Sequence, residues 1–208
     1  PRDAWICPRY GILNNIPKGG VVGTSSLRRT AFLKHHRPDL NVLGIRGNVP
    51  TRLDKLDRGE FDAIILAVSG LKRINLENRI TEILPMKWML PAVGQGAIGI
   101  ETRVGDSETL SLVKHINDSC THGCLRAERS LLRELEGNCQ IPLAGYCINK
   151  VEELHLHSAL CDPEGESLIE YEARAPKHNA VSLGKESAEW ILKNGGYQIL
   201  QKSKAVIK

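Results

Sequence analysis

Short apolar runs alternate with amphipathic stretches along the first half of the chain, and the rhythm changes past the midpoint. Val21-Val22-Gly23-Thr24 reads as a short buried strand ending in a turn, and Thr24, Ser25 and Ser26 offer N-caps for a helix reaching about His35. Residues 42–45 form a second apolar strand, broken by Gly47; Pro50 suits the first turn of the next helix, and Gly59 stops it. Residues 61–67 are an apolar run of strand length closed by Ser69-Gly70. Strand, helix, strand, helix, strand in this order predicts βαβ units and a parallel sheet.

Residues 91–101 read as an apolar, Gly-punctuated extended segment, followed by a helix from about Asp106 to His115. Asn117-Asp118-Ser119 caps a longer helix with Leu125, Leu131, Leu132 and Leu135 on its apolar face, ended by Gly137. Residues 141–149, 153–161 and 167–175 then read as three strands, with turns at Asn149-Lys150 and at Asp162-Pro163-Glu164-Gly165. A final helix spans about Ser182 to Lys193 and stops at Gly195-Gly196. This half predicts a small α+β domain with a three-stranded antiparallel sheet. His155 and His157 share one strand face, expected to meet solvent, while Leu154 and Leu156 take the other.

Composition narrows the function classes. The 208 residues include 41% hydrophobic and 25% charged positions, as in an ordinary folded protein. A net charge of +4 with interleaved acids, and only 4% aromatics, argues against a nucleic-acid partner. No apolar run is long enough to span a bilayer, so no membrane partner is expected. Six cysteines in a chain that can build its own core suggest reduced thiols and a cytoplasmic setting, with a plastid location left open for a processed form. Cys120, His122 and Cys124 lack the partner pair of a zinc site, and the cysteines read as thiols packed on a helix.

Arginines concentrate at element ends: Arg28 and Arg29 in the first turn of a helix, Arg46 after a strand, Arg52 at a helix start, and Arg73 after Ser69-Gly70. In an open α/β sheet, ligands bind at the carboxyl ends of strands and the amino ends of the following helices. Cations in a first helical turn oppose the helix dipole, so several of them at one edge point to an anion. The guanidinium fork suits carboxylates or phosphates. Gly94-Gln95-Gly96-Ala97-Ile98-Gly99 matches a dinucleotide fingerprint only superficially, since it opens no helix after a βα turn. Cys139 lies between a helix stop and Ile141-Pro142, in a tight loop that suits a structural or a reactive thiol equally.

Several of these segments carry a resemblance. Gly23-Thr24-Ser25-Ser26-Leu27-Arg28-Arg29, Ile45-Arg46-Gly47-Asn48 with Thr51-Arg52-Leu53, and Ala92-Val93-Gly94-Gln95-Gly96-Ala97 resemble successive motifs of the porphobilinogen deaminase (hydroxymethylbilane synthase) family. Glu128-Arg129 and Leu135-Glu136-Gly137-Asn138-Cys139-Gln140-Ile141-Pro142 are similar to its cofactor-attachment region. The resemblance implies a transferase that joins four porphobilinogens, with loss of ammonia, into hydroxymethylbilane. It implies a dipyrromethane primer held by a thioether to Cys139 and bound by Thr24, Ser26, Arg28, Arg29 and Arg52. Arg46 and Arg73 would then meet the substrate, and Gln95 would lie at an interdomain hinge.

The implied fold is a periplasmic-binding-protein-like βαβ domain (residues 1–93), followed by a segment (94–117) that completes a first domain, and a C-terminal α+β domain (118–208). The family's Ser-x-Lys-Asp motif, whose Asp stabilises a cationic intermediate, does not occur in these 208 residues. The expectation is therefore a monomeric chain that begins at the second domain, lacks the catalytic acid and needs a missing N-terminal domain for turnover. Asn138 departs from the very small residue usual before the cysteine. A non-catalytic anion-binding module of the periplasmic-receptor type shares the same crevice and is the alternative.

Overall fold

The computed structural model describes residues 1–135 and 141–206 of the 208. Its first half is a five-stranded sheet in the order β3-β2-β4-β1-β5, built from β1 (Asp3–Ile6), β2 (Val21–Gly23), β3 (Asn41–Leu43), β4 (Ala63–Ala67) and β5 (Glu82–Ile83). Helices α1 (Leu27–His36) and α2 (Val49–Asp57) make the crossovers that leave β2 parallel to both β3 and β4. Each start is capped by a side chain: Ser26 accepts from the Arg29 amide, and Asn48 from the Thr51 amide.

The sheet is mixed, which corrects the expectation of a parallel one. The opening residues form β1, antiparallel to β4 and β5, with Asp3, Ala4, Trp5 and Ile6 all fully buried. No turn signal precedes Asp3, and a run of four residues without alternation carries no period, so sequence pattern could not find this strand. Ser69-Gly70 does not close β4 with a turn. Helix α3 (Val68–Arg73) starts directly at the strand end and places Arg73 in its last turn. Residues 91–101 contain no strand; positive φ at Gly94 and Gly96 breaks them into turns.

The second half follows its predicted layout. Helix α4 (Ser107–Lys114) precedes α5 (Ser119–Glu134), capped by Asp118. Strands β6 (Leu143–Asn149), β7 (Glu153–Cys161) and β8 (Leu168–Pro176) form an antiparallel sheet backed by α6 (Ala180–Ile191). Gly184 lets α6 approach α5 closely, because a Cβ there would overlap the Ala127 carbonyl and Ser130. Gly195-Gly196 does not end the helical region. Gly195 takes φ 107° and kinks the chain into α7 (Tyr197–Val206), which the two glycines had hidden.

Both faces of the second sheet are used. Leu154, Leu156 and Leu160 pack with α5 and α6, as the alternation predicts. The opposite face is not simply solvated: Ala144, Ala159 and Cys161 join the core of the first sheet with Trp5, Phe32 and Leu33. His155 and His157 therefore stand half-buried at its edge, beside Glu153 (3.4 Å) and Glu172 (2.9 Å). Lys34 and Glu164 add an ion pair at 2.6 Å across the same seam.

His36 stacks on Trp88 with ring centroids 4.9 Å apart, and its Nε2 is buried without a hydrogen-bond partner among the described residues. Burial, and then the neighbouring His35, push its pKa below the usual histidine value. The folded state thus holds His36 neutral while the unfolded chain takes up a proton near pH 6.5 and below. Stability from this group is present above that range and is lost as the pH falls through it. Urea denaturation at pH 7, 6 and 5 is expected to show falling stability, with a shallower fall in His36→Phe; identical slopes would remove His36 as the cause.

Candidate functional site

Asp3 organises the carboxyl edge of the first sheet. Because β1 runs antiparallel to β4, pairing Asp3 with Ala67, the strand's first residue lies where β4 ends and α1 begins. Its carboxylate is fully buried and holds both arginines of the α1 first turn. Arg28 donates to Oδ2 at 2.8 Å, and Arg29 donates to Oδ1 through Nε at 2.9 Å and lies at 2.7 Å through a terminal nitrogen. Arg28 also donates to the Leu90 carbonyl (2.7 Å) and the Gln95 side chain (3.2 Å), and Arg29 to the Ile65 carbonyl (3.1 Å). Burial lowers the Arg28 pKa, and the Asp3 charge opposes that shift. Two cations at a helix start carry a dipole penalty, and Asp3, from the strand that sequence missed, offsets it. Arg28 and Arg29 are thus anchored by Asp3, while the Arg28 Nε has no partner among the described residues and Arg28 lines a cleft.

Two clefts open around this node. One, of about 550 Å³, is lined by Thr24, Ser25, Leu27, Thr30, Gly44, Arg46 and Lys55, with no acidic residue. Thr24 is buried and its hydroxyl accepts from the Ser26 amide; Ser25 donates to the Ile45 carbonyl. Gly47 holds φ 118°, and a Cβ there would press on Thr51, so the turn between β3 and α2 requires glycine. Arg52 donates to the Gly47 carbonyl at 2.8 Å, and Lys55 lies one turn further along α2 with Nζ 3.4 Å from the Arg46 carbonyl. The Arg46 side chain makes no hydrogen bond or ion pair among the described residues, so a cation is free at the cleft. Lys55 was not singled out from sequence; its spacing from Arg52, which puts both on one face of α2, was the available signal.

The second cleft, of about 290 Å³, is lined by Ser26, Arg28, Ala92, Val93, Leu132, Ile141 and Leu143. Leu132 and Ile141 lie on either side of residues 136–140. Cys139 falls outside the described residues, as does the expected helix stop at Gly137. The structure thus brings together Thr24 with Arg46, and Ser26 with Arg28 and Arg29. Arg73 is exposed at the end of α3 and bonded to none of them.

Glu128 joins the segments behind the clefts. Its buried carboxylate accepts from the Gly94 amide (2.7 Å) and the Cys147 amide (2.9 Å), tying the 92–97 turn to β6. Burial pushes its pKa up. Cys120 and His122 are exposed on α5 while Cys124 turns inward, so the three do not converge. No group of three or more His, Cys, Asp or Glu suited to a metal ion exists among the described residues. No helix among them is long and apolar enough to cross a membrane.

Comparison with known families gives two matches. Residues 1–111 match the model described as porphobilinogen deaminase, dipyrromethane cofactor binding domain, and residues 123–193 match porphobilinogen deaminase, C-terminal domain.

Proposed function

The chain belongs to the porphobilinogen deaminase family, a transferase family of tetrapyrrole biosynthesis, and on that premise we propose that its Arg46 cleft receives porphobilinogen while a dipyrromethane primer sits beside it on a thioether to Cys139. The observation that carries this reading is a cleft with a free guanidinium and no acid, at the carboxyl edge of the sheet, next to a second cleft bordered by both flanks of the Cys139 segment. Each pyrrole of this chemistry bears carboxylates, and the donors fit them: an arginine with an unpartnered buried Nε, hydroxyls at a helix start, and Arg46.

When bound, the primer supplies a pyrrole carbon on which further rings are added. The chain's own residues then divide the work. Cys139 anchors the primer, and Thr24, Ser26, Arg28, Arg29 and Arg52 hold its carboxylates. Arg46, with Arg73, meets the incoming ring, and polymerisation of four units gives hydroxymethylbilane. Gln95, hydrogen-bonded to both Arg28 and Asp3, couples the 92–97 turn to the arginine pair and serves as the hinge contact.

In this reading residues 1–93 are the cofactor- and substrate-binding domain, 118–208 the domain of the anchor, and 94–117 part of a further domain. Supporting the last assignment, α4 buries none of its residues, and Ile98, Ile100, Val104, Leu110, Leu112 and Ile116 are all exposed. A surface of this kind asks for an apolar counterpart. The protein works as a monomer in the cytoplasm or a plastid.

Titration calorimetry with porphobilinogen tests the cleft. Removing one charge-assisted bond costs about 1.5–3 kcal/mol, so Arg46→Gln is expected to weaken binding roughly 10- to 100-fold without changing the melting temperature. Unchanged affinity would place the substrate elsewhere.

A further inference from the structure

Two cations line the first cleft, and among the described residues neither is answered by an acid. Arg46 has no side-chain partner there, and the one bond of Lys55 is to the Arg46 carbonyl, at 3.4 Å. The acids of the same stretch serve elsewhere. Asp57 is held by Arg79 and Glu60 by Arg58, while Asp54 precedes Lys55 on the helix, and adjacent helical positions do not share a face. Lys55 is half-buried at the cleft, not extended into solvent. Its long bond to a carbonyl engages one of three ammonium donors, and two remain. From the other wall, α1 and the residues before it bring the hydroxyls of Thr24, Ser25 and Thr30.

We propose that Lys55 is a specificity-determining residue of this cleft, binding one carboxylate of a dicarboxylate pyrrole while Arg46 binds the other. The inference rests on the reading that porphobilinogen enters the Arg46 cleft, and it supplies what that reading leaves open. Porphobilinogen carries an acetate and a propionate arm on neighbouring ring carbons, and a single guanidinium fork matches one carboxylate. Two unanswered cations around an acid-free cleft of about 550 Å³ fit a small dianion, where a monoanion leaves one of them unpaired.

The two cations are not equivalent. The Arg46 fork takes its carboxylate through two parallel bonds and so fixes the orientation of the ring. The Lys55 ammonium is a point charge on a flexible stem, suited to an arm whose position varies. A pyrrole lacking either carboxylate loses one charge-assisted contact, and this is how the cleft tells a dicarboxylate from a monocarboxylate.

The test is titration calorimetry of the whole chain with porphobilinogen and with its two monoamides, each of which lacks one carboxylate. Wild type is compared with Lys55→Gln, Lys55→Arg and Arg46→Gln. Lys55→Gln is expected to weaken porphobilinogen binding about 5- to 20-fold, less than Arg46→Gln because the ammonium is partly solvated, and Lys55→Arg to recover most of the loss. One monoamide is expected to bind Lys55→Gln and wild type alike, and the other to bind Arg46→Gln and wild type alike. A lysine that only props the Arg46 turn would instead weaken all three ligands together. Lys55→Met carries the same comparison should the glutamine disturb the turn. The proposal is overturned if Lys55→Gln binds porphobilinogen as tightly as wild type, or if it weakens both monoamides equally. In either case a loss in Arg46→Gln leaves the substrate reading standing without Lys55. Porphobilinogen affinity that neither substitution moves would remove both.

Discussion

Replacing Asp3 with alanine is expected to cost about 3–5 kcal/mol of folding stability, the usual penalty for stripping one partner from a buried ion pair. Asp3 is fully buried, and the Arg28 side chain it holds is only 4% exposed, so water cannot replace the lost carboxylate. Arg29, 11% exposed, loses its counter-charge in the same step. Ordinary domains have only about 5–15 kcal/mol to lose, so the variant will be partly unfolded at 37 °C. Asp3→Asn keeps the shape and some hydrogen bonds and should fall between wild type and alanine. Arg46→Gln, a change at an exposed cation with no partner among the described residues, should leave stability within about 0.5 kcal/mol of wild type. Urea denaturation of the four proteins ranks them; an Asp3→Ala chain as stable as Arg46→Gln would contradict the central place given to Asp3.

The second large effect is an absence of turnover. Loss of ammonia from an aminomethyl pyrrole leaves a cation, and a nearby carboxylate is what stabilises such charge in the transition state. Around the proposed primer and substrate, the described residues offer no free acid. Asp3 is buried between two guanidiniums, Glu128 is engaged by two backbone amides, and the Arg46 cleft is lined by none. The 208-residue chain by itself is therefore expected to bind porphobilinogen yet release ammonia at the uncatalysed rate. Steady ammonia release, abolished by Arg46→Gln, would show that a carboxylate of this chain does the work and would refute the role assigned to a further domain.

Much of the fold was legible because its signals are local. Ser26 and Asn48 sit where caps are required, glycine at 47 and 59 sits where φ is positive, and alternation in β7 separates Leu154 and Leu156 from His155 and His157. What stayed hidden depended on partners distant in sequence. β1 is a strand only because β4 and β5 flank it, and α7 follows a glycine pair that usually marks an end. The site shows the same division. Sequence collected the arginines at one sheet edge, and the structure puts Thr24 and Arg46 together at one cleft. That Arg28 and Arg29 turn inward could not be read without Asp3, and Lys55 gained meaning only once α2 was laid against the turn at Gly47.

Peptide-mass mapping of the chain after incubation with preformed hydroxymethylbilane, which alkylates a thiol by losing water and needs no loss of ammonia, tests the central claim most directly. The expected result is an oligopyrrole adduct on the peptide containing Cys139, with the other five cysteines free of pyrrole. A protein that binds porphobilinogen but carries an unmodified Cys139 in every copy, or an adduct on a different cysteine, would contradict it.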